Sequence, residues 1–153
     1  MSPESRLVAG ILLILMPTVV FGGASILTLL VNDPGYTENE IRQDLWRAGH
    51  AHAGVLLVLS LVVLRYVDEA ALSGGLRWLV RLGVPAAAIL LPVAFFLSVI
   101  SPDTTEPNAL IYLAYIGAVS LAVGLLVLGV GLIRGRRATA HTDLRDSKSG
   151  PLT

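Results

Sequence analysis

The chain has 153 residues, 54% apolar and 14% charged, with a mean hydropathy of +0.75, whereas a soluble domain carries about a quarter charged residues. Eleven Lys and Arg balance eleven Asp and Glu, so no basic excess invites nucleic acid. The absence of cysteine excludes disulfides, iron–sulfur clusters, thiolate ligands and cysteine nucleophiles, leaving histidine, carboxylate, hydroxyl or a bound cofactor to carry any chemistry.

Four apolar stretches, at about 7–31, 48–64, 78–100 and 109–133, approach or exceed the roughly 20 helical residues that cross a hydrocarbon layer. They do not alternate apolar with polar as barrel strands do, so the expected architecture is all-α: an integral membrane four-transmembrane-helix bundle forming a single domain over 1–133. The first stretch begins after Arg6 and contains Pro17. Its Gly22-Gly23-Ala24 resembles a signal-peptide cleavage site, but the apolar run continues through Ile26–Val31, so a retained helix is expected. The third stretch holds Pro85 and Pro92, which bend a membrane helix and release carbonyls. The fourth spaces Gly117, Gly124 and Gly131 seven apart, a stripe that serves either packing within the chain or an oligomer seam. Residues 134–153 form a polar tail expected to be cytoplasmic and disordered, with His141 as a bystander. Nine of the eleven basic residues fall in the N-terminus, the second loop and this tail, against Arg42 and Arg47 in the first loop. The positive-inside rule therefore puts both termini in the cytoplasm of a multi-pass cell-membrane protein.

The most informative segment is Trp46-Arg47-Ala48-Gly49-His50-Ala51-His52-Ala53-Gly54. Two histidines in the first turns of a spanning helix are costly unless they have partners, which marks them as a site; otherwise they sit at the headgroup level and bind water. At 100° per residue they lie about 200° apart and cannot both bind one metal from one helix face. The surrounding alanines and glycines leave room either for a flat macrocycle, with one imidazole reaching its iron, or for close helix packing. The same leaflet gathers Phe95, Phe96, Tyr112 and Tyr115. The two tyrosines share a face at i,i+3 and form either an interfacial aromatic belt or hydrogen-bonding groups in a pocket. No phosphate loop, HExxH motif or Ser–His–Asp set is present, and no span contains the buried carboxylate that an ion path needs.

These residues resemble the styrene oxide isomerase family and the related hydroxylaminobenzene-mutase-like small membrane proteins. The resemblance covers about 7–133. It rests on Thr18, Phe21 and Gly22, on an Ala-His-x-Gly signature at Ala51, His52 and Gly54, on Phe95-Phe96 with Ser101-Pro102, and on Pro107-Asn108. It implies a trimeric homo-oligomer binding haem b between subunits through that signature histidine. In that family the ferric iron acts as a Lewis acid that opens an epoxide to an aldehyde. Carried over by position, the iron ligand is His52, with His50 the alternative by spacing from Trp46 and with Ala51 and Gly54 beside the cofactor. The family's asparagine six residues beyond the ligand is Val58 here (Leu56 counted from His50), and its third-helix tyrosine is Phe95. Tyr112 or Tyr115 would then have to supply the missing phenol to a small lipophilic substrate. Three histidines, Met1 and Met16 are the common strong axial ligands available, which leaves an open sixth position on the iron. The alternatives are a non-enzymatic haem-containing or accessory membrane subunit that docks through the glycine stripe, and a purely structural bundle.

Overall fold

The computed structural model describes the backbone of residues 1–148 and the side chains of residues 1–136. Five α-helices and one 3-10 turn make up the described chain: α1 (Pro3–Asn32), α2 (Pro34–Thr37), α3 (Glu40–Tyr66), α4 (Gly74–Ser98), the turn Ala109–Tyr112, and α5 (Leu113–Lys148). Four of these are long and apolar enough to cross a membrane, the last from Ala109 to Arg136, and no strand occurs among the described residues.

Capping residues set the starts. Ser2 accepts the Ser5 amide and Pro3 occupies the first turn of α1, where a missing N–H costs nothing. Asp33 caps α2 through the Tyr36 amide, and Asn39 caps α3 through the Arg42 amide. The Asn39 cap starts the second span eight residues before the expected Ala48, because Glu40–Arg47 is helical but polar. Asn108 accepts the Leu110 amide, and its own amide donates to the Ser98 carbonyl at 2.9 Å, tying the last turn of α4 to the start of the fourth span. At the other end α5 does not stop at Ile133: its backbone is helical to Lys148, since no proline or glycine interrupts 136–149. The side chains of the tail, His141 included, lie outside the described residues.

The helices pack in the order α1, α3, α4, α5; α1 scarcely touches α4 and does not reach α5. Half of the apolar window of α4 is buried inside the chain, but only 6% of that of α1. In lipid, helices associate by close packing rather than by expulsion of water, and the α4–α5 contact shows how. A β-carbon on Gly117 would stand 2.5 Å from Leu91 Cδ1, one on Gly124 2.7 Å from Val84 Cγ2, and one on Gly131 2.7 Å from Leu72. The glycine stripe is therefore filled by α4 and the turn before it, within the chain. At Gly131 the approach is close enough for the Ala71 amide to donate to the Gly131 carbonyl at 3.0 Å. Both prolines of α4 are accommodated without ending the helix.

Candidate functional site

The two ends of the bundle are built differently. At the end holding the N-terminus and the α3–α4 turn, Arg81 of α4 is 5% exposed. Its guanidinium donates to Asp68 at 2.7 Å, to Ser5 Oγ at 3.0 Å and to Ser2 Oγ at 2.9 Å, and it stands over the Trp78 ring. Asp68 also accepts the Ser2 amide and the Ser5 hydroxyl. Burial alone would raise the Asp68 carboxyl, but the Ser2 amide, Arg81 and Ser5 outweigh it and hold it at about 2.

At the opposite end, Tyr36 is fully buried against Trp46, their ring centroids 5.7 Å apart, and Trp46 meets the edge of Phe96 and donates Nε1–H to the Phe96 carbonyl. Arg42, itself buried, lies over the Trp46 ring with its Cζ 4.5 Å from the centroid and makes a long contact to the Ile100 carbonyl. Two polar atoms stay unpaired here, the Tyr36 hydroxyl and Arg42 Nε. Burial pushes the Tyr36 phenol up, with Arg47 and Arg42 acting against it.

The histidines sit three turns into α3, directly below this aromatic group. As the helical spacing requires, they point to opposite sides. His50 faces α1, where its ring lies so close to Gly23 that a β-carbon there would stand 2.8 Å from Cε1. It lines a cavity of about 330 Å³ bounded by α1, α3 and α4, whose walls are otherwise almost wholly apolar. His52 is exposed on the far flank of α3. Its ring meets Phe95 edge-on with centroids 5.3 Å apart, and its Nδ1 lies 2.7 Å from the Ala48 carbonyl. A carbonyl oxygen only accepts, so the proton is on Nδ1 and Nε2 carries the lone pair. No described group takes that lone pair.

Of the residues singled out from the sequence, the structure brings His52 and Phe95 together and keeps His50 apart from both. Ala51 is exposed beside His52. Gly54 packs on α1, 3.7 Å from Val19 for an added β-carbon, on the side away from His52, while Gly49 is filled by Phe95 and Phe96 of α4. Those two glycines thus serve helix packing, and only the alanines leave open surface near His52. Tyr112 and Tyr115 stack on each other with centroids 6.1 Å apart and are two-thirds exposed; neither touches a histidine ring. No group of three or more acidic or histidine side chains that could hold a bare metal ion exists among the described residues. Tyr36, Arg42 and Arg81 fall in polar loops and at helix ends, where composition does not single them out. An arginine four residues before a tryptophan, on a helix capped by Asn39, was the available signal for the second of them.

No family model matches this chain, and neither a curated protein nor a solved structure matches it.

Proposed function

We propose that this chain is a haem b-binding, multi-pass protein of the cell membrane, with both termini cytoplasmic and His52 as the axial ligand of the iron. The observation that carries this reading is the His52 imidazole, with Nδ1–H donated to the Ala48 carbonyl at 2.7 Å and Nε2 free on an exposed flank. Metal-bound histidines are held in this way: the outer nitrogen donates to a carbonyl or carboxylate, which fixes the tautomer and raises the basicity of the nitrogen that ligates. An iron porphyrin needs only one such nitrogen from the protein. Phe95 buttresses the imidazole edge-on, and Ala48 and Ala51 add little bulk beside it. Because His52 points out of the protomer, the group would be enclosed only by a second copy of the chain, consistent with the homo-oligomer, a trimer by resemblance, that the family likeness implies. The cytoplasmic termini rest on the nine basic residues that share one side.

Ferric haem, when bound, supplies a Lewis-acidic iron suited to an epoxide oxygen. This chain offers little to orient such a substrate: Phe95 and Val58 stand where the related isomerases carry a phenol and an amide, and the Tyr112–Tyr115 pair touches neither histidine. That composition favours a haem whose turnover of styrene oxide is slow or absent, and hence a non-enzymatic haem-carrying subunit as the second reading. Purification of the full chain in detergent from cells supplied with haem, followed by a visible spectrum and pyridine haemochrome assay, tests the proposal. The expected result is a Soret band and a b-type haemochrome; a colourless protein would end it. Aldehyde formation from styrene oxide separates the isomerase from the subunit.

A further inference from the structure

The His50 cavity lies on the opposite side of α3 from His52 and has no part in the reading above. Its walls come from α1, α3 and α4, and its volume of about 330 Å³ falls at the low end of the roughly 300–1,000 Å³ of small-molecule sites. Besides the Thr18 hydroxyl, which donates to the Leu15 carbonyl, two polar features lie along an otherwise apolar lining. The first is the His50 imidazole, which has no hydrogen-bond partner among the described residues. Gly22 and Gly23, against which it lies, have no side chains to offer, and a polar ring within the hydrocarbon layer is costly without a partner. The second is the carbonyl of Ala88 in α4. The residue four positions on is Pro92, which has no amide to donate, and both residues line the cavity. The outer end is roofed by Phe96, which Trp46 holds in place through the Nε1–H bond to its carbonyl. The α1 and α4 walls of the cavity belong to helices that scarcely meet.

We propose that this cavity binds a small lipophilic alcohol or phenol whose hydroxyl hydrogen-bonds to His50. A hydroxyl is the matching group because it both donates and accepts, so it can serve either imidazole nitrogen. A hydrocarbon of equal size fills the same walls but leaves the imidazole unsatisfied.

The test uses the full chain in nanodiscs and fluorine NMR of para-fluorophenol, with fluorobenzene as the hydroxyl-free control and empty nanodiscs as the partitioning blank. The expected result is saturable binding of para-fluorophenol above the blank and roughly tenfold weaker binding of fluorobenzene, the worth of one hydrogen bond. His50→Leu, which keeps the volume and removes the imidazole, brings the phenol down to the level of fluorobenzene. Ala53→Phe, which fills the cavity from α3, weakens both ligands. His52→Ala leaves both unchanged, so a protein without haem still reports on this site, and loss of phenol binding says nothing against His52. Absence of saturable binding above empty nanodiscs, or a His50→Leu protein that binds the phenol as wild type does, overturns the proposal.

Discussion

The two ends of this bundle bury their polar groups on different terms, although Arg77 Nε at the first end, like the Tyr36 hydroxyl and Arg42 Nε at the second, has no hydrogen-bond partner. Around Arg81 the buried charge has a carboxylate, two hydroxyls and an aromatic face, and Asp68 receives the Ser2 amide as well. Around Tyr36, Arg42 and His50, a hydroxyl, a guanidinium nitrogen and an imidazole are left without hydrogen-bond partners. A buried network in which each member is satisfied ties elements together; one left open carries a desolvation cost that a ligand can relieve. The Arg81 cluster is therefore a structural tie between α1, the α3–α4 turn and α4, and the open groups lie at the end where ligands are proposed.

Mutations at the two ends should differ most in stability. Arg81→Met leaves the part-buried Asp68 without its cation and removes the bonds to Ser2 and Ser5, a change that costs about 1.5–3 kcal/mol; denaturant unfolding in detergent should show it, and a loss below about 1 kcal/mol would erase the contrast. Between the ends, Gly124→Val forces a side chain onto Val84 and should cost roughly 1–3 kcal/mol. Because the stripe is packed inside the chain, the penalty should appear in unfolding and not as a shift in oligomeric state on light scattering.

Asp68 gives the satisfied end a pH dependence. Its folded pKa of about 2 lies below the ordinary 3.8, so its contribution is fully present above about pH 4 and is lost as pH falls through 2. The shift corresponds to about 2 kcal/mol. Stability measured between pH 5 and pH 2 should fall by about that amount in the wild type and by clearly less in Asp68→Asn. The smallest effect belongs to the open end: Tyr36→Phe deletes an unpaired hydroxyl and should change stability by no more than about 0.5 kcal/mol, or raise it. A large loss there would mean that the hydroxyl is hydrogen-bonded after all.

Much of the architecture is written in composition. Long apolar runs without internal charges announce helices long and apolar enough to cross a membrane, and the opposition of His50 and His52 follows from two residues of separation on a helix. The early start of α3 was hidden because hydropathy sees only the membrane-embedded part of a helix, while Glu40–Arg47 is helical for reasons of capping. The glycine stripe was legible as a close contact but not as to its partner, since packing within a chain and packing between chains ask for the same small residues. The Arg81 cluster was invisible because its hydrogen-bond partners lie between 13 and 79 residues away along the chain. The tautomer of His52 follows from its contact with Ala48, which no pattern of residue types announces, and that contact is what separates it from His50.

The most direct test sets two variants side by side. Under the same haem supply, His52→Ala should emerge without a Soret band, while His50→Ala keeps most of it with only weakened retention. The converse, a red His52→Ala protein and a colourless His50→Ala one, would contradict the assignment and move the ligand to the opposite face of α3.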